Sequence, residues 1–558
     1  MTRPLAILAC LVAAARAQHV LDRDTYADHL RAMWLAEAIA NWTGWRAEGQ
    51  AIEPPFFTDD DWGTTTRRGV LEFVLQDPFL ADDDTDVEYV DLHLMTTGAT
   101  PWLDADVIRD GWLAHMDDEY LWVSNLRALE LMRLGLPPDA TSMPAANHSW
   151  LMIDAQLTTE VFGALAPGMP LRALRLADLP IATTARGHAA HAAQYHVVLY
   201  ALATQAPPGL PVDQQVVWLA DQARRFIPDT SKVADIHDFV RARFDADPDD
   251  WEATRDAIHD RYQANDAAYG WRYRAWWESS VNVATGVMAL LYGKGDLRRT
   301  IQIGTLSGWD ADNPTATMGG LLGLMLGTDA VRDAFPGEIL SDRYDIERTR
   351  DGLPDHLPGD PQAQDTFTLM SERMLPLVET IILDAGGLVD DDEGRWLLPP
   401  VHADPRPLVP TTILHHRSAN IAVVEAGGTI TRIVPGGGDP PPGYGVRQTQ
   451  RFTNRIEHDA SGHEPPANVT EFHSTLGGST PPGTDQEYNV LYDRPVLVRT
   501  LRFIEGDPVD DTWQGGWFLT LTPELLVEGA WVTPPFIQRH PLDASIPFQV
   551  IDFDFDDT

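Results

Sequence analysis

Apolar residues recur at helical spacing through the first two thirds of this chain. The pattern predicts helices over 22–40, 85–95, 121–134, 190–203, 251–262, 281–292, 315–326 and 366–383. Strand-like alternation is scarce before residue 397, so 18–396 reads as one long helical domain. Prolines at 399, 400, 405, 407 and 410 then break 397–410 into a linker. Beyond it, in 411–558, short β-rich runs such as VLVRTLRFI and PFQVIDFDF alternate with turn clusters such as GGGDPPPGYG. The expected fold class is therefore mainly α, with an all-β, jelly-roll-like sandwich at the C-terminal end. In that half, Arg499–Gly506 followed by Gly515-Gly516-Trp517-Phe518 has the look of a carbohydrate-binding sandwich; a structural lid or a dimer surface is an equal reading.

The first residues change the picture in one respect. Arg3 precedes an apolar run from Leu5 to Ala15, and Ala15 and Ala17 stand at −3 and −1 of a cleavage site. The run is too short to span a bilayer, so 1–17 reads as a signal peptide and the protein as secreted or periplasmic; the alternative is a buried N-terminal helix. Cys10, the one cysteine, lies inside this segment, which leaves the rest without a thiol or a disulfide. Asn41, Asn147 and Asn468 open Asn-X-Ser/Thr triplets, to which no role is attached.

Charge narrows the partners. There are 83 acids against 41 bases, a net charge of −42, and the lysines are Lys232 and Lys294 alone. Nucleic acid and anionic membrane are poor partners for such a surface, and no membrane span is expected. An Asp-rich, Lys-poor exterior fits work in concentrated salt, where screening relieves self-repulsion.

Three acidic features carry candidate chemistry. Asp82-Asp83-Asp84-Thr85-Asp86 stands just before a helical run, where acids also serve as helix caps. Asp310 and Asp312, in Gly308-Trp309-Asp310-Ala311-Asp312-Asn313-Pro314, are expected on an extended turn with a helix after Pro314. Gly319, Gly320 and Gly323 follow, at a cost in helix propensity that close backbone packing would explain. The third is Glu48, after Ala40-Asn41-Trp42-Thr43-Gly44 at the end of the first helix. Alone, each is a cap, a turn or a solvated acid. Together they offer oxygen-only ligands, which suit Mg²⁺, Mn²⁺ or Ca²⁺.

The three features, in this order and at this spacing, resemble the ADP-ribosylglycohydrolase family. That family has a Gly-Asp-Ala-Leu-Gly-like turn with a Glu four residues on, a Thr-Asp-Asp-Thr helix start about 35 residues later, and a Gly-Gly-Asp-Thr-Asp-Thr segment before a glycine-containing helix. The resemblance covers roughly 25–330. It implies an all-helical glycosidic-bond hydrolase of ADP-ribosyl-type, small-molecule or glycan substrates. It also implies one or two Mg²⁺ ions on Asp82, Asp83, Asp84, Asp310, Asp312 and Asn313. Glu48, Asp83 and Asp312 would be the catalytic acids, and Asn41, His188 and Trp309 substrate contacts.

Several positions depart from the family. Asp82 and Asn313 replace threonines, Asn41 replaces an aspartate, and IDAQLTTEVFGALAPGMP stands where a Gly-Asn-Gly loop is usual. His188 and His191 are displaced from the family's Thr-His pair. Thr58-Asp59-Asp60 mimics the second motif but lies only ten residues after Glu48, and is read with Asp61 as an outer rim. The aromatic run Tyr269–Trp277 offers sugar-stacking faces or core packing. Two rival functions stay open: an exported hydrolase of polysaccharide or glycoconjugate, and a catalytically silent, cation-stabilised glycan-binding protein.

Overall fold

The computed structural model describes residues 19–399, apart from 144–145, 230, 270 and 272. Beyond these it describes 428–433, 487–492, 500–504, 521–527, 530–538 and 550–555. Segment 1–17, all but the first residues of the proposed linker, and most of 411–558 lie outside the described residues. The described chain is mainly helical, and every one of the eight helices expected from periodicity is present.

Two compact units divide the chain, one drawn from Met1–Leu126 and Leu151–Leu414, the other from Arg127–Trp150 and His415–Thr558. Within the second unit, Leu131, Leu136, Ala140, Met143 and Ala146 make a small apolar cluster. Its described strands pair antiparallel. Thr500–Ile504 and Phe536–Gln538 flank Val550–Phe555, whose Ile551, Phe553 and Phe555 are buried.

The first unit is built around helix α1 (Arg23–Gly44), capped by Asp22, whose side chain accepts the Thr25 N–H at 2.8 Å. From Ala32 to Gly44 every residue of α1 is buried, so it is a central helix rather than an amphipathic one. Its closest neighbour is α5 (Asp312–Leu326), buried from Asp312 to Leu324. Small residues set this contact. Ala32, Ala36, Ala40 and Gly44 recur every four positions on α1, and the three alanines face Gly319 and Gly323 of α5. A Cβ at Gly319 would collide with Ala40 and the Ala36 carbonyl, and one at Gly323 with the Ala32 carbonyl. The close backbone packing expected of Gly319, Gly320 and Gly323 holds for Gly319 and Gly323, whereas Gly320 makes room for the Tyr200 and Glu37 side chains. Gly44, in turn, lies directly against the Asp312 backbone.

Three more helices complete the inner layer: α2 (Asp83–Gly98), α3 (Gly187–Leu202) and α4 (Ser279–Gly293), the last buried throughout. The body closes through small sheets. Val20–Asp22 pairs with Arg395–Leu397, which pairs with Leu388–Asp390, placing Leu21 opposite the fully buried Trp396. No helix among the described residues is long and apolar enough to cross a membrane.

Candidate active site

Backbone hydrogen bonds bring two of the three acidic segments together. After α1 ends, the chain turns through Glu48. The Gly49 N–H donates to the Trp309 carbonyl at 2.8 Å, and the Trp309 N–H donates to the Ala51 carbonyl at 3.0 Å. This reciprocal pair holds the Glu48 turn against 308–310. It requires left-handed backbone at Gly308 (φ 93°) and Trp309 (φ 54°), and Gly308 sits where a Cβ would strike the Ala51 carbonyl. The segment is therefore not the extended turn expected of it. Asp312 is itself the first residue of α5, and Pro314 fits inside the first turn, where no N–H is needed.

One carboxylate oxygen each from Glu48, Asp310 and Asp312 can lie within 4.8 Å of one another. Arg68 forms an ion pair with Glu48 and stacks over Trp45 at 4.7 Å. The Asp310 N–H donates to Asn282 at 3.2 Å. At the start of α2, Asp82 is the N-cap in a capping box with Thr85, so the cap reading of this motif holds for Asp82. Asp84 is held from both sides: Asn41 donates to one carboxylate oxygen at 2.8 Å and Asn313 to the other at 2.9 Å. Gln156 donates to the Asn313 carbonyl oxygen at 3.1 Å, and the Ser279 hydroxyl donates to Gln156 at 2.7 Å.

Crowding sets the electrostatics. Burial, then repulsion from Glu48, pushes the Asp310 and Asp312 carboxyls well above the usual range. Asp83 and Asp84 are raised in the same sense, by burial and by their neighbouring aspartates. Asp82 is pushed up to about 6 by burial, against the pull of Arg348. These acids cannot all carry charge together without positive charge among them.

A second acidic layer lies one turn deeper. Glu37, Glu88, Glu160 and Thr317 stand four residues from Asn41, Asp84, Gln156 and Asn313, repeating the outer layer inside the core. Thr317 donates to Glu160 at 2.6 Å, and the Val161 N–H donates to Glu88 at 2.6 Å. Burial pushes Glu160 up to about 7, and burial with mutual repulsion raises Glu37 and Glu88 in the same sense.

The structure thus brings Glu48, Asp310 and Asp312 into one group, and links Asn41, Asp84 and Asn313 through hydrogen bonds. Two expected substrate contacts are corrected. Trp309 is completely buried, donating to Gln263 at 2.7 Å and packing on Phe56 at 5.0 Å, so it offers no face to a ligand. His188 stands 3.3 Å from the buried carboxylate of Glu278, which Lys232 also meets at 3.2 Å. It belongs to that buried cluster. In the segment read as an outer rim, Asp59 accepts from Arg299 at 2.5 Å and from Trp251 at 3.2 Å. Sequence reasoning passed over Arg68, Asp154 and Gln156. Asp154 is buried and accepts from Ser124 and the Asn125 N–H. Arg68 and Gln156 belong to no motif, and only tertiary contact reveals them.

The described body is helical, with acids remote in sequence gathered at the ends of inner helices. The chain belongs to the ADP-ribosylglycohydrolase family, whose model matches residues 22–365, and is accordingly a glycosidic-bond hydrolase. Among solved structures it is similar to one titled "ADP-ribosylglycohydrolase-related protein complex", at 18% identity and a TM-score of 0.36, covering 64% of this chain and 98% of that one. No curated protein matches the chain.

Proposed function

We propose that this protein cleaves an N- or O-glycosidic bond to an ADP-ribosyl or related ribosyl-like sugar, at a centre of one or two divalent cations. Mg²⁺ is the first choice, with Mn²⁺ or Ca²⁺ as substitutes. The observation that carries this reading is the convergence of Glu48, Asp310 and Asp312, with one oxygen of each inside 4.8 Å. The residues fit such an ion: the donors are all hard oxygens, and burial, then repulsion from Glu48, raises Asp310 and Asp312, a cost that a cation relieves. Asp310 and Asp312 would hold it from one side, with Asp83 and Asp84 as the acids facing them from the start of α2. When bound, a divalent ion supplies the charge that lets these acids ionise together and polarises a substrate hydroxyl.

The chain's own groups do the remaining work. Glu48, steadied by Arg68, is the carboxylate placed to take a proton from attacking water or return one to the leaving group. Asn41 and Asn313 fix the orientation of Asp84. Export is part of the same reading and rests on the Leu5–Ala15 run; cell fractionation of the expressed full chain tests it.

ADP-ribosylated arginine and serine peptides, ribosides, pentosides and glycans, each offered with Mg²⁺, Mn²⁺ or EDTA, test the activity. Hydrolysis of an ADP-ribosyl substrate that EDTA abolishes, Mg²⁺ restores and Asp312→Ala removes is expected. Turnover unaffected by EDTA would overturn the metal reading, and cleavage of glycans alone would overturn the substrate.

A further inference from the structure

The segment 343–350 runs beside the start of α2. Arg343–Asp345 pairs in parallel with Phe79–Leu80, the Ala81 N–H donates to the Asp345 carbonyl at 2.9 Å, and the Tyr344 hydroxyl donates to Thr85 at 2.9 Å. Arg350 is buried in an ion pair with Asp86 and bridges through its backbone to Met116, just before Asp118–Tyr120. These contacts hold Arg348 near both Tyr120 and Asp82, the cap of α2. Arg348 and Asp82 are each partly open to solvent.

Other arginines here are committed to acids: Arg343 to Asp360 and Asp77, Arg350 to Asp86, and Arg68 to Glu48. Arg348 makes no hydrogen bond or ion pair with any described residue. Its guanidinium lies over the ring of Trp42, at 5.2 Å, and over that of Tyr120, at 5.8 Å. Rings engage the flat faces of a guanidinium and leave its N–H edge free, the edge that grips a phosphate at two points. After burial, the strongest influence on the Asp82 carboxyl is the charge of Arg348. Trp42 in turn packs on Trp45 at 5.7 Å, and Arg68, the partner of Glu48, lies over Trp45. A row of rings and guanidinium groups thus leads from Arg348 to Glu48. An anion approaching a chain of net charge −42 is repelled until it meets a local positive charge, and Arg348 offers one at the rim of the site.

We propose that Arg348 is a specificity-determining residue, binding a phosphate group of the substrate with its free edge while Trp42 and Tyr120 hold its plane. The proposal rests on the hydrolytic reading for the identity of the site. Arg348 selects phosphorylated ribosides over neutral glycans, which have no anionic group for the guanidinium to grip.

Calorimetric binding of ADP-ribose, ribose 5-phosphate and adenosine to the full chain in Mg²⁺ tests it. Affinity is read whether or not a bond is cleaved, so a failure here is distinct from a failure of turnover. Arg348→Gln should weaken both phosphorylated ligands about 10–100-fold, the range of a lost hydrogen bond to a charged group, and leave adenosine unchanged. Undiminished affinity for the phosphorylated ligands in R348Q, or an equal loss for adenosine, overturns the proposal, as does a wild type that binds neither phosphorylated ligand. If R348Q does not fold, wild-type protein treated with the arginine reagent phenylglyoxal decides. Protection of Arg348 by ADP-ribose but not by adenosine, read by peptide mass, supports the proposal, and equal modification with both refutes it.

Discussion

Asn41 and Asn313 each give an amide N–H to a different oxygen of Asp84, and that clamp is the part of the site most dependent on single side chains. Asn41 was expected to touch substrate; its amide is instead engaged on a carboxylate of the cluster. Asn41→Ala should therefore act on the centre rather than on substrate binding. Losing an orienting partner of this kind costs about 10–100-fold in metal affinity or activity. Mg²⁺ titration of turnover should show that loss, with KM for substrate changed little. Glu160 gives a second expectation at this scale. Its carboxyl ordinarily titrates at 4.5 but at about 7 in the fold. A raised acid contributes stability fully present below 4.5 and lost as pH rises toward 7. The melting temperature of EDTA-treated protein should fall across that window. Glu160→Gln, which cannot ionise, should flatten the fall.

At the scale of elements, the contact between α1 and α5 positions the site, because Gly44 lies on the backbone of Asp312 and the Glu48 turn follows directly. Gly319→Ala or Gly323→Ala must push the helices apart and should cost about 1–3 kcal/mol or more. Gly209→Ala, with open space around it, should cost little. Chemical denaturation of the three variants checks this. Much at this scale was legible in the sequence. Apolar residues at helical spacing marked even α1, α4 and α5, which are buried nearly all round, and glycines in a helix betray close packing. The acidic motifs were legible because each keeps its spacing to a helix end. The 308–312 turn was not. Positive φ at Trp309 is uncommon for a bulky residue, and it is imposed by the partner turn at Gly49 and Ala51. Nor could the sequence place His188, since the acid it meets, Glu278, lies 90 residues further along.

For the molecule as a whole, charge and convergence are the governing facts. A net charge of −42 on one chain predicts that added salt stabilises it. Its melting temperature should rise from low to molar NaCl, and a flat or falling curve would argue against an acidic surface adapted to salt. Arg68, Asp154 and Gln156 escaped sequence reasoning for the same reason that the acids converge at all. Residues at 48, 68, 84, 156, 310 and 312 become neighbours only through the packing of inner helices, which no local pattern records. The central claim is that this packing makes one cation centre. The most direct measurement is an anomalous difference map from crystals grown with Mn²⁺. The account predicts a peak bounded by Glu48, Asp310 and Asp312; manganese bound only elsewhere, with those three carboxylates free of it, would contradict the account.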